Sequence, residues 1–80
     1  MRNGFINVGF GNMVAIDRIV SITELYSAAA KRDMTVLGSS GRLRDFTRGR
    51  SACSLIYLDD GSAVKSGLYP ESIIRAVRGF

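Results

Sequence analysis

The run Ser54-Leu55-Ile56-Tyr57-Leu58 constrains this chain more than any other stretch. Four bulky side chains follow Ser54 with no polar alternation, so the segment suits a strand buried on both faces. Asp59-Asp60-Gly61 supplies a turn, and Ala63 to Leu68 reads as the returning strand. A chain of 80 residues buries only about 60% of the surface it exposes when unfolded, enough for one modest core. Pro70 is the only proline, and no repeat or low-complexity segment interrupts the sequence. Residues 1–80 therefore read as one continuous domain without a linker.

The remaining pattern is mixed. Phe5 to Val8 reads as a first strand, broken by Gly9-Phe10-Gly11-Asn12. Met13 to Ile16 and Arg18 to Ile22 read as further extended pieces. Between Ser27 and Leu37 the composition turns helical, with Tyr26, Ala30, Met34 and Leu37 forming one apolar stripe, and the cluster Gly38-Ser39-Ser40-Gly41 ends the helix. Leu43 to Thr47 alternates as a short strand. Pro70-Glu71-Ser72 opens a last helix, where Ile73, Val77 and Phe80 share a face apart from Arg75 and Arg78. The expected fold class is a small β-rich α+β domain with one central and one C-terminal helix.

The chain carries 11 Lys+Arg against 7 Asp+Glu and no His, a net charge of +4. Lack of histidine removes Ser–His and Cys–His nucleophile pairs and most zinc-hydrolase chemistry. Cys53 is the only cysteine, which excludes an intramolecular disulfide and reads as a small, passive, buried residue. No enzyme, metal, cofactor or small-molecule ligand is expected. Without a long apolar run or a leader at its start, the chain is expected to be a cytoplasmic protein with no membrane partner. The pair Asp59-Asp60 reads as turn chemistry, since strand neighbours face opposite sides. Gly9-Phe10-Gly11 fails as a dinucleotide fingerprint, because Val14 stands where the next glycine belongs and β-patterned residues follow. It reads as a tight turn.

Nine of the eleven cations are arginine, whose planar fork grips phosphate with two hydrogen bonds at once. Arg42, Arg44, Arg48 and Arg50 crowd into nine residues, all at even positions. On an extended stretch they would project from one side as a comb, with Asp45 and Thr47 facing the other way. Such a comb suits the phosphates of duplex DNA; a solvated basic edge is the alternative. Phe46 is the single aromatic residue inside the run, which gives single-strand stacking little support.

As a set, Ile6-Asn7-Val8-Gly9-Phe10-Gly11-Asn12, Arg18-Ile19-Val20-Ser21-Ile22, Lys31-Arg32, Asp45-x-Thr47-x-Gly49-Arg50 and Pro70-Glu71-Ser72 resemble the bacterial RemA family of extracellular matrix regulators over almost the whole chain. The resemblance implies a transcriptional activator of biofilm-matrix and related genes, nucleoid-associated, with a LytTR-like fold. It also implies that subunits close into an octameric ring that engages double-stranded DNA around its rim. Its DNA-contacting arginines fall on Arg18 and Arg50, to which the comb adds Arg48 and Arg44 and the helix adds Lys31 and Arg32. The family's next basic residue is Ser51 here, and a family proline is Ala29. A ring that binds a protein partner, with arginines in intersubunit ion pairs, stays open as the rival.

Overall fold

In the computed structural model, which describes residues 4–79, the chain runs β1 (Phe5–Asn7), β2 (Met13–Ala15), a 3₁₀ turn (Ile16–Arg18), β3 (Ile19–Glu24), α1 (Ala28–Ser39), β4 (Leu43–Asp45), β5 (Ser54–Leu58), β6 (Ala63–Ser66) and α2 (Pro70–Arg78). β5 occupies the middle of a four-stranded sheet ordered β3-β5-β6-β4, and Ser54, Leu55 and Ile56 are buried on it. The β5–β6 hairpin is antiparallel, its turn closed by Leu58 N–H to the Ser62 carbonyl at 2.9 Å. β4 pairs with β6 in parallel, an arrangement that requires the chain to cross over and that no local turn signal announces.

Successive side chains of a strand point to opposite faces, and here each face finds its own cover. Ile56 and Val64 join Ile6, Val8, Val14, Ile16 and Ile73 in one cluster, formed against the β1–β2 hairpin and α2. Leu55 and Ala63 join Leu25 and Ala30 in a second, formed against α1, with Met34 and Leu37 packed on its margin. The molecule is thus layered: α1, the four-stranded sheet, then the β1–β2 hairpin with α2. Truncating Ile56, fully buried at the centre, would cost about 2–5 kcal/mol in lost transfer energy and cavity formation.

The expected stripe on the central helix is corrected at one end. Ser27 caps α1, its Oγ accepting the Ala30 N–H at 3.0 Å, so Tyr26 lies outside the helix and is 70% exposed. Ala30, Met34 and Leu37 make the contact instead. Tyr57 on β5 donates its hydroxyl to Asp33 at 2.6 Å, pinning α1 across the sheet. On α2, Ile73 is buried and Val77 packs beside it while Arg75 and Arg78 face outward. Phe80, expected on the same face, lies outside the described residues. No described helix is long and apolar enough to cross a membrane.

Candidate nucleic-acid interface

The extended comb does not form. β4 ends at Asp45 because the next residues are drawn into a turn by their own side chains. Asp45 Oδ1 accepts both the Thr47 N–H at 2.9 Å and the Thr47 hydroxyl at 2.5 Å, while Thr47 is 2% exposed and points inward. Arg50 N–H then closes onto the Thr47 carbonyl at 3.0 Å. The turn puts Arg48 and Gly49 at φ of 53° and 79°, left-handed values that end any strand alternation. Thr47 hydrogen bonding, first from its hydroxyl and then from its backbone, holds the Asp45 carboxyl below its ordinary range. Arg44 alone keeps a strand position; Arg42 precedes β4, its guanidinium lying beside Gly61 at the β5–β6 turn.

A second turn faces this one from the β1–β2 hairpin. Asn7 Oδ1 accepts the Gly9 N–H at 2.7 Å, Asn12 Nδ2 donates to the Gly9 carbonyl at 2.9 Å, and Val8 N–H reaches the Asn12 carbonyl at 2.8 Å. Gly9, Phe10 and Gly11 all take positive φ, at 119°, 53° and 77°. Glycine is needed at 119°, which side chains rarely adopt, so the expectation of a turn demanded by backbone geometry holds. Phe10, carried at the tip, meets both arginines of the opposing turn. The Arg48 guanidinium carbon lies 5.1 Å and that of Arg50 5.8 Å from its ring centre. Beside them, Gly9, Phe10, Arg50, Ser51, Gly67 and Leu68 line a shallow hollow of about 380 Å³.

Arg18 and Arg44 border a second hollow of about 210 Å³ with Met13, Phe46, Asp60 and Ser62 among its walls. Arg18 Nε donates to Asp59 Oδ1 at 2.6 Å, and Asp59 N–H returns a bond to the Arg18 carbonyl at 2.9 Å. The Asp59 hydrogen bond and charge raise the Arg18 pKa above its ordinary value. The neighbouring Asp60 is held below the usual carboxylate range by the Ser62 hydroxyl and backbone N–H.

The four arginines therefore border the β1–β2 hairpin, Arg48 and Arg50 at its tip and Arg18 and Arg44 along β2. Lys31 and Arg32 are exposed on α1, on the other side of the sheet, and the fold does not bring them to the other four. Two participants carry no site signal in the sequence: Asp59 reads there as turn chemistry, and Phe10 as part of a turn and of the family motif. Among the described residues no cluster of three or more His, Cys, Asp or Glu side chains could hold a metal ion. What the arrangement offers is planar, multidentate donation to oxyanions.

The chain is similar in sequence to known proteins along nearly its whole length. The family model described as RemA-like, Extracellular matrix regulatory protein A-like, matches residues 5–76. A Dictyoglomus turgidum protein named "Putative regulatory protein" is 42% identical over 74 residues, covering 92% of this chain and 87% of its own length. One of the same description from Geobacillus kaustophilus is 37% identical over 79 residues, 99% of this chain and 91% of that protein. Another, from Synechococcus elongatus, is 37% identical over 73 residues, 91% and 84% of the respective lengths.

Proposed function

The chain belongs to the RemA-like family, whose relatives here are named as regulatory proteins, and from that premise we propose that it is a regulator that binds duplex DNA through its arginines. The observation that carries the reading is the convergence of two turns on one grip. Asn7-to-Asn12 and Asp45-to-Arg50 meet at Phe10, with the arginine pair carried there on backbone that the fold holds by side-chain hydrogen bonds. Arg50 and Arg48 hold phosphates at the hairpin tip, and Arg18 and Arg44 hold them along β2. Lys31 and Arg32, on the opposite layer, add basic surface away from this strip.

The proposal extends to the RemA-like activator role at biofilm-matrix genes, in the cytoplasm on the nucleoid, and to a LytTR-like way of meeting DNA. One small domain offers few contacts, so the assembly proposed is a closed ring, octameric, that multiplies them by effective concentration. Both ends of the four-stranded sheet are supportive, since β3 and β4 are edge strands, and Val20 on β3 is 67% exposed. The same exposed edge favours the rival, a ring that binds a protein partner. Fluorescence anisotropy on a labelled duplex across a salt series decides between them. Phosphate contacts give a steep negative slope of log K against log salt, and Arg50→Ala and Arg18→Ala each lower its magnitude by about 0.9 per engaged subunit. A slope near zero, or arginine variants that lose assembly by mass measurement while leaving the slope unchanged, would sink the DNA reading.

A further inference from the structure

Phe10 and Arg48 are the only non-glycine residues at positive φ among the described residues, and they touch each other. Backbone in this region costs energy, and a fold retains it where something else depends on the placement. The dependence here is not core packing. Phe10 belongs to neither buried cluster and is 43% exposed, so a place in the core does not account for its backbone. Instead it lies against two guanidinium groups from a turn far away in sequence. The ion pairs among the described residues are Arg18–Asp59 and Lys65–Asp45, so neither Arg48 nor Arg50 is held by a carboxylate there.

We propose that Phe10 is a positioning residue, whose ring gathers Arg48 and Arg50 into one two-guanidinium grip for adjacent phosphates. The inference rests on the DNA-binding reading and deepens it by assigning the aromatic residue a role through the arginines. A guanidinium resting over a ring uses its flat face for the aromatic contact and leaves its N–H edge free for an oxyanion. The ring thus restricts two long side chains before the ligand arrives, and their ordering cost is met in the free protein. It also offsets part of the repulsion between two like charges brought to one place. Asn7 and Asn12 fix the loop that carries the ring, and Asp45 and Thr47 fix the turn that carries the arginines. These are the residues of the two sequence motifs, which makes the motifs the two halves of one device.

The test combines Phe10→Leu, Phe10→Tyr and an Arg48→Ala/Arg50→Ala background in the full chain. Phe10→Leu should keep the parent's thermal stability and weaken duplex binding about 5- to 30-fold, as expected for two lost cation–ring contacts. Phe10→Tyr should restore binding. In the background lacking Arg48 and Arg50, Phe10→Leu should cost nothing further, because the ring acts through those side chains. A full further loss there would overturn the proposal and make Phe10 a direct DNA contact. In the free protein, the Arg48 and Arg50 Nε–H resonances should lose their ring-current displacement in Phe10→Leu. Resonances that do not move would refute the grip irrespective of DNA. Should the parent bind no duplex, the functional reading fails alone. The grip is then judged by inorganic tripolyphosphate, whose affinity must fall in Phe10→Leu if the inference stands and is unchanged if it does not.

Discussion

Ser66→Ala is the most informative single change to the scaffold behind the hairpin tip. Ser66 is 0% exposed and stands directly across from Ser54, also 0% exposed, in the β5–β6 register. Its hydroxyl donates to the Val8 carbonyl at 2.6 Å and accepts the Leu68 N–H at 3.1 Å, while Ser54 Oγ donates to the Leu68 carbonyl. Val8 immediately precedes Gly9, and Leu68 lines the hollow beside Phe10, so this buried hydroxyl ties both to the sheet. Alanine fills nearly the same space but leaves a buried carbonyl and a part-buried N–H without their partner. At about 1–2 kcal/mol for each of the two abandoned groups, one of them only part-buried, the expected loss is about 2–4 kcal/mol. A domain of this length has about 4–12 kcal/mol in total, so the loss is a large fraction of it and lowers Tm by roughly 10–25 °C. Urea denaturation and a thermal scan measure it, with Ser39→Ala as the control. Ser39 donates from the exposed end of α1 to the Thr35 carbonyl, and its loss should stay within about 0.5 kcal/mol. If Ser66→Ala is as mild as the control, the buried serine is not a strut and the argument is wrong.

Asp59→Asn should tighten duplex binding severalfold at low salt, since it removes a carboxylate that competes with phosphate for the Arg18 fork; weaker binding would show that Asp59 orients the arginine for DNA. Burial first, then donation to Asp33, pushes the Tyr57 phenol from 10.0 up to about 12. Its folded pKa is raised, so its contribution to stability is complete below pH 10 and lost as pH climbs towards about 12; Tyr57→Phe should flatten that alkaline decline, and an unchanged decline would refute the assignment. Arg48→Asn should hold or raise Tm, because asparagine tolerates a left-handed φ better, while lowering duplex affinity. Cys53 is half-buried before β5, its N–H bonded to the Ser66 carbonyl, and Cys53→Ala should leave binding within a few-fold of the parent.

Local signals made the hairpin and the last helix legible. Asp59-Asp60-Gly61 closes the β5–β6 turn, and Pro70 starts α2 where its fixed φ is an advantage. The parallel β4–β6 pairing was not legible, because its register depends on a long crossover and not on neighbouring residues. The even-numbered arginines misled for a related reason. Alternation assumes that the strand continues, whereas Asp45-x-Thr47 carries the chemistry of a turn in which an aspartate side chain accepts from the backbone two residues on. That signal lay in the sequence and outranked the spacing. Periodicity alone extends the helical stripe to Tyr26, although the capping serine beside it marks the true start.

The arginine pairing itself was beyond a one-dimensional reading. Inside the basic run only Phe46 is aromatic, yet the ring that meets Arg48 and Arg50 comes from the β1–β2 hairpin. Gly9 stands close enough to the second turn that a Cβ there would lie 3.9 Å from the Phe46 carbonyl. The two turns therefore approach each other as backbone, and only then can a side chain from one meet two from the other. A strand comb would have spaced its guanidiniums about 6.6 Å apart along a straight edge, fixed by the pleat and open to solvent. Turns let the spacing be set by side-chain hydrogen bonds and one ring. They exact left-handed backbone at Phe10 and Arg48, where the scaffold gives up some stability. A chain under selection for stability alone would remove that strain with glycine or asparagine at position 48, at the expense of a guanidinium. Its retention is the physical ground for looking for function at this tip before anywhere else on the surface.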